Sequence, residues 1–331
     1  MQRHPRTSIF HTTEWLEALH RTYGYQPLAF TTSPTGSELR NGAAFCRVKS
    51  WLIRPRLVSL PFSDHADPLF DDEAELTELL EFLQHGQWAG KWNSVELRPP
   101  GPANSLNQWP GFHDGQKYLL HRLDLRPSLG GLFRSLQKDS IQRKIRRAER
   151  EGLIYEEGRS ETLLRMFYQL TVLTRRRQAL PPPPLAWFRN VMKCLGEKAM
   201  IRIARKDDKA IAAILTLHHK QTVVYKYGSS DAKFHNLGGM PFVLWKTIED
   251  AKQHGVTEFD LGRSEASNTG LITFKERFGA TGSTLVYKRY PGHWELSNGV
   301  GRHVGIAKRL FKVLPDDLLV LAGRILYPHI G

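Results

Sequence analysis

The chain has 331 residues, enough for two domains of ordinary size, each with its own core. It carries 47 lysines and arginines against 33 aspartates and glutamates, a formal net charge of +14 that favours anionic partners: phosphorylated substrates, nucleic acid or an acidic membrane surface. Its two cysteines, Cys46 and Cys194, lie far apart in no metal-binding pattern. This spacing excludes a disulfide framework, predicts no metal site and indicates a reducing compartment.

The apolar runs of the sequence bear on localisation. The N-terminal stretch MQRHPRTSIFHTTEWL has no apolar core of a secretory signal. No apolar run approaches the ~18 residues that a membrane-spanning helix needs. We therefore expect a cytoplasmic protein without a transmembrane segment.

The first part of the chain alternates helix and strand signals. Thr13 is the predicted N-cap of a helix from Glu14 to about Thr22, ended by Gly24. Acidic residues open a second amphipathic helix in DDEAELTELLEFLQHG. Short strands are predicted at PLAF, GAAFCRV, RLVSLPF, WNSVELR and YLLHRLDL, and the proline- and glycine-rich residues 99–111 predict a loop.

A long basic helix is predicted next, from about Leu132 to Glu151, with Gly152 at its end. Further helices and strands follow, and a helix with Pro241 in its first turn leads to a strand at Phe259–Gly262. The polar sequence after that strand predicts a loop. The C-terminal sequence PDDLLVLAGRILYPHIG predicts an amphipathic helix, whose apolar stripe comprises Leu318, Leu321, Ala322, Ile325 and Leu326.

Two stretches have the same order of elements. LVSLPFSDHADPLF, a helix and WNSVELR correspond to VVYKYGSSDAKF, a helix and VTEFDLGR. The pattern predicts an internal duplication, in which Leu57–Arg98 and Val223–Arg263 have the same strand–helix–strand topology. Such units imply parallel or mixed sheets covered by helices.

Several motifs give the chain a family resemblance. The second half is similar to the C-terminal domain of the FemAB-like branch of the GNAT acyltransferases, which includes the Fem peptidoglycan aminoacyltransferases and acetyltransferase-like proteins of envelope and exopolysaccharide synthesis. The motifs that carry this resemblance are RKIRRAEREGL at 143–153, TRRRQALPPPP at 174–184, YKYGSSD at 225–231, DLGRSE at 260–265 and GLITFKERFGA at 270–280. IFHTTEWLEALHRTYGYQP and VSLPFSDHADPL resemble the first half of the same proteins.

The resemblance implies a mixed α/β fold of tandem GNAT-like domains. We assign residues 1–128 to the N-terminal domain and 129–331 to the C-terminal acyltransferase domain with its amphipathic tail. The implied function is transfer of an acyl or aminoacyl group to an amine or hydroxyl of a cell-envelope or exopolysaccharide precursor. The donor is either acyl-CoA or aminoacyl-tRNA, and the acceptor is an anionic small molecule or a lipid-linked glycan precursor.

In such a fold two neighbouring parallel strands separate in the middle of the sheet, and the resemblance places the end of Phe259–Gly262 beside that opening. The catalytic candidates are Asp260, Arg263, Ser264 and Lys275. Asp260 either orients the acceptor or takes its proton, or else it has a structural role, pairing with Arg263 or capping the turn. Lys275 either faces the cleft and binds an anionic group, or is a surface lysine.

Donor binding is assigned to the turn before the Pro241 helix. The candidates there are His235, Asn236, Gly238 and Gly239, because main-chain N–H groups at a helix N-terminus bind anions. The turn departs from the usual GNAT pyrophosphate loop, since Met240 occupies a position that is normally small. This departure weakens the expectation of ordinary coenzyme A binding.

Further substrate-binding candidates come from three places. A triple arginine before a proline run suits phosphate or carboxylate recognition, although cations also suit a helix C-terminus. Two tyrosines alternate along one predicted strand face, where they either contact substrate or lie in the core. The candidates are Arg175, Arg176, Arg177, Tyr225, Tyr227 and, in the first half, Asp64 and His65.

Two other functions remain open at this point. The basic helix 134–152 favours a non-catalytic protein that binds RNA or an anionic precursor, or else it is a solvated face. The C-terminal helix either docks on the core or contacts an anionic membrane surface, which would place the protein at the inner membrane.

Overall fold

The computed structural model describes residues 4–49, 54–100, 111–291, 310–329 and 331. These residues divide into two compact units. The first contains the described residues of Met1–Leu119, Ser283–Gly299 and Ile325–Gly331, and the second those of Leu120–Gly282 and Val300–Arg324. The domain boundary after residue 128 stays a prediction, because a compact unit and a duplicated domain need not begin at the same residue.

Eleven strands are found in the described part of the chain. They are β1 (Gln26–Phe30), β2 (Ala43–Val48), β3 (Arg56–Val58), β4 (Ser94–Leu97), β5 (His113–Asp124), β6 (Ile154–Gly158), β7 (Ala199–Lys206), β8 (Lys209–His219), β9 (Thr222–Ser230), β10 (Glu258–Glu265) and β11 (Thr281–Tyr290). The predicted loop at 99–111 lies almost wholly outside the described residues.

The α-helices of the described residues alternate with these strands. They are α1 (Thr13–Tyr23), α2 (Glu73–Trp88), α3 (Leu129–Ser135), α4 (Arg143–Arg150), α5 (Glu161–Arg177), α6 (Leu185–Leu195), α7 (Gly239–Gln253), α8 (Thr269–Arg277) and α9 (Asp316–Leu326). A π-helical turn, Lys138–Gln142, precedes α4, and a 3-10 helix, Ala232–Leu237, precedes α7.

In the first unit, β1, β2 and β3 pair antiparallel in that order, and β3 pairs parallel with β4. β11 pairs antiparallel with the other side of β4. One face of these strands packs on α2 through an apolar cluster that includes Leu79, Leu83, Phe45, Trp92 and Val95. The apolar stripe predicted for this helix is therefore the face that the core buries.

In the second unit, β6, β7, β8 and β9 pair antiparallel in that order, and β9 pairs parallel with β10. α4 and α7 pack together, α7 also lies on β7–β9, and α5 contacts the same strands. The largest core cluster of this unit includes Ile145, Ala148, Phe242, Ile248 and Phe259. The mixed α/β fold expected from the sequence is confirmed.

The duplicated segments have the predicted topology. β3–α2–β4 and β9–α7–β10 are each a strand, a helix and a parallel strand. Leu57 pairs with Val95 in the first, as Val223 pairs with Phe259 in the second. The repeat seen in the sequence is thus also a repeat of sheet register.

The predicted single helix from Leu132 to Glu151 is wrong. Leu136 has extended backbone angles and ends α3, and the chain re-enters helix through the π turn. The N–H of Gln137 donates to the Arg277 carbonyl at 2.8 Å, and the Gln137 side chain caps the new helix at the Ser140 N–H. A tertiary hydrogen bond therefore replaces the helical one at this point.

Two predicted boundaries also shift. Thr12, not Thr13, is the N-cap of α1, where its side chain accepts from the Trp15 N–H. β10 runs on to Glu265, so Arg263 and Ser264 lie in the strand rather than in the loop predicted there. A membrane-spanning helix is not found among the described residues.

Candidate functional site

The parallel pair β9 and β10 opens in the middle of the second unit. Its register pairs Thr222–Val224 with Glu258–Asp260. Both strands then continue, to Ser230 and Glu265, but the pairing ends at Val224 and Asp260. The backbone groups of β9 just beyond Val224 are consequently available to a ligand lying between the strands, whereas those of Gly262 and Arg263 in β10 are bound by side chains.

A bulge in β9 controls which side chains face this opening. β8 pairs Thr216 with Tyr225 and Leu215 with Tyr227, so Lys226 is an extra residue. Tyr225 packs against the core cluster of α4 and α7, whereas the Tyr227 ring lies 5.1 Å from the Phe188 ring of α6. The prediction that both tyrosines lie on one strand face is wrong, because the inserted residue reverses the alternation.

Tyr225 is a half-buried phenol beside the opening. A Cβ at Gly228 would lie 1.6 Å from the Tyr225 hydroxyl oxygen, so the glycine makes room for that group. Burial raises the pKa of Tyr225 to about 12. The phenol therefore keeps its proton at neutral pH. Tyr227 instead accepts a hydrogen bond from the Trp187 indole N–H at 2.9 Å, which ties it to the packing of α6.

β10 contains a kink at Gly262, which has a φ of +72°. The Asp260 carboxylate accepts from the Gly262 N–H at 2.7 Å. The Lys275 ammonium donates to the Gly262 carbonyl at 2.8 Å and to the Arg263 carbonyl at 3.2 Å. The left-handed conformation favours glycine, and these contacts hold it from both sides.

Asp260 and Lys275 are both about 2% exposed. The prediction that Lys275 faces a cleft, and its alternative of a surface lysine, are both corrected, since its ammonium is buried against strand carbonyls. The Arg122 guanidinium lies 3.9 Å from the Asp260 carboxylate. The hydrogen bond from the Gly262 N–H supports the turn-capping role of Asp260, and a catalytic role stays a prediction.

Ser264 follows the kink and is 2% exposed. Its hydroxyl has no hydrogen-bond partner among the described residues. A buried hydroxyl without a partner is uncommon and needs an explanation such as a ligand. The neighbouring Arg263 is half-buried.

The turn before α7 lies close to the backbone of α4. Gly238 has a φ of +79°, and a Cβ there would lie 2.4 Å from the Lys144 carbonyl oxygen of α4. α7 begins directly after it, so the first N–H groups of a 15-residue helix lie at this turn. Pro241 removes one of these donors. A helix N-terminus of this kind attracts anions.

Cationic side chains surround the same turn. His235 is hydrogen-bonded through Nε2 to the Ser230 hydroxyl at 2.9 Å. Burial lowers the pKa of His235, and the nearby charges of Arg177 and Lys144 lower it further. We call Lys144 and Arg177, which carry the charge, together with the neighbouring His235 ring, which is neutral near pH 7, the cationic turn cluster. Its positive field suits a phosphate group.

The three consecutive arginines do not form one cluster. Arg177 donates to the Ser230 carbonyl at 3.1 Å, beside His235. Arg176 is paired with the Asp316 carboxylate, and Arg175 makes a long 3.4 Å contact with the Gln178 side chain. The expected shared guanidinium site is therefore divided, because successive helical residues point about 100° apart.

Asp64 and His65 are buried in the first unit. The Tyr287 hydroxyl donates to the Asp64 carbonyl at 2.8 Å, and the His65 ring packs edge-on against Phe10. These contacts are those of a fixed loop. A substrate role for the pair stays a prediction.

A separate surface cleft of about 480 Å³ lies at the amino end of β10, the opposite end from the opening. Two ion pairs in it are Arg126 with Asp124 at 2.9 Å and Arg122 with Glu258 at 3.8 Å. Its charges thus partly neutralise one another. A cluster of metal-ligating side chains is not found in the described part of the chain.

Comparison with known proteins finds a family domain within the chain. The family model described as acetyltransferase (GNAT) domain matches residues 135–276. This segment is a GNAT acetyltransferase domain. The match spans α4 to α8 and thus includes the opening between β9 and β10, the cationic turn cluster and the Gly262 kink. The GNAT resemblance read from the sequence is confirmed.

Solved structures extend the fold similarity beyond the GNAT domain. FemX shares 15% identity over 86% of this chain and 93% of its own, with a TM-score of 0.69. L-PGS from Bacillus licheniformis shares 16% identity over 91% of this chain and 96% of its own, with a TM-score of 0.57. The tandem GNAT protein from the clavulanic acid biosynthesis pathway shares 10% identity over 87% and 90%, with a TM-score of 0.53. The tandem GNAT-like, FemAB-like fold is therefore confirmed. No curated protein sequence matches the chain.

Sequence reasoning missed three residues of the GNAT domain site. Arg122 approaches Asp260, Lys144 approaches Gly238, and Ser230 binds His235. An arginine inside the predicted strand YLLHRLDL was an available signal for the first. The Lys144 contact depends on the tertiary structure, because Lys144 and Gly238 are almost a hundred positions apart, whereas Ser230 lies only five positions before His235.

Proposed function

We propose that the GNAT domain transfers an acyl or aminoacyl group to an amine or hydroxyl of a cell-envelope or exopolysaccharide precursor. The observation that carries this proposal is the opening between β9 and β10, with a cationic turn at the N-terminus of α7 beside it. An acyl donor with a phosphate near its reactive end fits both features at once.

Each part of the opening has a role in this proposal. The α7 N-terminus and the cationic turn cluster hold the donor phosphate. Free backbone groups of β9 beyond Val224 align the donor carbonyl. The acceptor nitrogen or oxygen attacks that carbonyl, a new C–N or C–O bond forms, and the bond to the donor's sulfur or ribose oxygen breaks. The protonated Tyr225 phenol donates its proton to the leaving group, and the phenolate so formed takes up the proton that the acceptor nitrogen or oxygen releases.

Acceptor contacts are assigned to Arg263 and Ser264. The kink at Gly262 fixes the backbone position of both residues. The unpaired Ser264 hydroxyl is suited to a hydrogen bond with an acceptor hydroxyl or amide. The fold is similar to the C-terminal domain of a putative lysylphosphatidylglycerol synthetase from Agrobacterium fabrum, with 15% identity and a TM-score of 0.57. This similarity and the net charge of +14 support an anionic envelope acceptor.

Acyl-CoA and aminoacyl-tRNA both fit the phosphate requirement. One observation favours aminoacyl-tRNA as the donor. Helix α4 contacts the donor turn at Lys144 and carries three exposed cations, Arg143, Arg146 and Arg150. A long polyanion would reach these residues and a small nucleotide would not.

The experiment is intact-mass detection of the acyl group on candidate precursors, with acyl-CoA and aminoacyl-tRNA donors tested in parallel. Tyr225→Phe keeps the ring and removes the proton, and should lower kcat by about 10²–10⁴-fold with little change in donor KM. Tyr227→Phe is the matched control, and its turnover should stay within a few-fold of the wild type. Failure of every donor to transfer, together with tight RNA binding, would reject the proposal.

The second candidate is a non-catalytic RNA- or precursor-binding protein. The exposed basic residues of α4 support it, and the salt dependence of binding distinguishes it from the transferase.

A further inference from the structure

A concentration of exposed apolar side chains marks the end of the described chain. We call these residues the C-terminal stripe: they are Leu310, Val313, Leu318, Leu321 and Ile325, with exposed fractions of 52%, 75%, 48%, 48% and 51%. On α9, Leu318, Leu321 and Ile325 are spaced i, i+3 and i+7 and share one face. Clustered exposed apolar groups of this kind indicate an interaction surface.

The opposite face of α9 is already docked. Leu319 and Gly323 are buried, and a Cβ at Gly323 would lie 2.0 Å from the Pro182 carbonyl oxygen. Arg176 of α5 is paired with Asp316 at the start of the helix. Because these contacts fix the rotation of the helix about its axis, the α9 members of the C-terminal stripe, Leu318, Leu321 and Ile325, cannot turn inwards to be covered by the core.

We propose that the C-terminal stripe lies on the surface of an anionic lipid bilayer. Lys312 and Arg324 are exposed on the same segment, whereas Asp316 is neutralised by Arg176, which leaves Asp317 as the exposed acid of α9. An apolar face with flanking cations is the pattern of a helix at the membrane interface. The chain's net charge of +14 adds long-range attraction to such a surface.

The length of α9 restricts how it contacts lipid. Its 11 residues are far fewer than the ~20 that span a bilayer. The helix therefore lies in the plane of the interface, with its apolar side chains reaching the acyl chains and its cations at the headgroups.

A second copy of the chain is a weaker occupant. At ~200 Å² for a large side chain, five half-exposed residues would offer roughly 500 Å². A stable dimer buries about 800 Å² on each partner. The basic residues would also oppose each other across a symmetric contact, whereas an anionic bilayer neutralises them.

The test uses the full chain and two vesicle types, phosphatidylcholine alone and phosphatidylcholine with phosphatidylglycerol. We expect sedimentation with the anionic vesicles and little with the neutral ones. Leu318→Glu with Leu321→Glu should reduce binding to the anionic vesicles by about tenfold or more, since two apolar contacts are lost and two negative charges added.

Trp88→Glu with Ile154→Glu is the matched control, because it adds the same charge and removes two apolar side chains that are 65% and 54% exposed elsewhere. This control should lose much less binding, and an unchanged Tm should accompany both double variants. Equal losses in the two would show that charge alone drives binding and would overturn the proposal. The proposal would also be overturned if the wild-type chain did not sediment with either vesicle type. A wild-type dimer that became monomeric in the α9 double variant would overturn it as well. The assay needs no donor or acceptor, so it fails or succeeds independently of the transfer reaction.

Discussion

Two buried charged side chains are directed at the backbone of a single glycine. Asp260 binds the Gly262 N–H, and Lys275 binds the Gly262 and Arg263 carbonyls. Burying a charge is costly unless it is paired and hydrogen-bonded, so contacts of this kind fix the local backbone strongly. At the scale of the residue, both therefore act as positioning groups for Arg263 and Ser264.

This role predicts how two substitutions of Asp260 differ. Asp260→Ala leaves the buried Gly262 N–H without its acceptor and should lower the free energy of unfolding by about 1–3 kcal/mol. Asp260→Asn keeps an acceptor oxygen and should lose less stability. Turnover per folded molecule should fall in the same order, alanine more than asparagine. Urea unfolding and single-turnover rates on the same preparations check this.

The catalytic alternative gives the opposite pattern. If Asp260 takes the acceptor's proton, asparagine should lower turnover by about 10²–10⁴-fold at an unchanged Tm, as much as alanine does. That result would identify Asp260 as a catalytic residue.

Gly238 allows a second residue-scale prediction with an internal control. Gly238→Ala places a methyl group 2.4 Å from the Lys144 carbonyl oxygen, at a φ of +79°. Gly255→Ala has the same backbone strain, at a φ of +71°, but no atom within 4 Å of the new methyl. Both should lose about 1 kcal/mol of stability from the left-handed conformation.

The added clash should affect Gly238→Ala alone. It moves the donor turn away from α4, so the donor KM should rise while the Gly255 variant keeps the wild-type value. Thermal unfolding and donor titration separate the two effects. Equal KM values in the two variants would show that the turn does not bind the donor.

At the scale of the element, α4 distinguishes the transferase from the RNA binder. The substitution Arg143→Gln, Arg146→Gln, Arg147→Gln and Arg150→Gln removes four charges from α4 and keeps Lys144 with its carbonyl contact to Gly238. Transfer to a small acceptor from acyl-CoA should persist, and transfer from aminoacyl-tRNA should fall. If RNA binding is the function, affinity falls steeply with salt, with a log–log slope of about −0.7 per single-strand phosphate contact.

The matched control removes the same charge from the first unit. Four exposed cations of that unit are replaced by glutamine: Arg21, Arg40, Arg54 and Lys91. The rates of transfer from acyl-CoA and from aminoacyl-tRNA should both stay unchanged. Loss of tRNA-dependent transfer in this control would show that net charge, rather than α4, attracts the donor. Weak binding that is insensitive to salt at ~0.15 M would remove the RNA function altogether.

At the scale of the whole molecule, the two units repeat a topology, but the carboxylates at the equivalent strand position have different partners. Glu96 of β4 occupies the register position of Asp260 in β10. Glu96 is bound by the guanidinium groups of Arg98 at 2.9 Å and Arg289 at 3.0 Å. Arg98 also donates to the Leu60 and Ser63 carbonyls, so the polar groups of this unit bind one another.

Glu96 gives the first unit a defined pH dependence. Burial raises the pKa of its carboxyl, but Arg98 and then Arg289 outweigh burial and lower the pKa to about 2. A carboxyl with a lowered pKa contributes stability above its unfolded value of 4.5, and that stability is lost as the pH falls from 4.5 towards 2.

Glu96→Gln should therefore cost about 3 kcal/mol or more near pH 7. The difference from the wild type should shrink below pH 4.5. Glu78→Gln, an exposed site on α2, is the control and should cost under about 0.5 kcal/mol at either pH. A Glu96 penalty that is independent of pH would contradict the ion-pair account.

Much of the fold was predictable because local signals agreed with the tertiary environment. Pro241 and Gly24 mark real helix ends, and the repeated order of strand, helix and strand gave the parallel pairs. The break between α3 and α4 was not predictable, since it depends on the hydrogen bond from Gln137 to Arg277, 140 positions away. Periodicity alone favoured one continuous helix there.

The sequence by itself determined the fold class and the duplication, because side-chain periodicity and turn residues act over a few positions. Only the tertiary structure decided the roles within that site. A single inserted residue in β9 separates Tyr225 from Tyr227, and a buried ammonium turns Lys275 from a cleft-facing residue into a strand anchor. Such outcomes depend on contacts between residues distant in the chain, which local patterns do not encode.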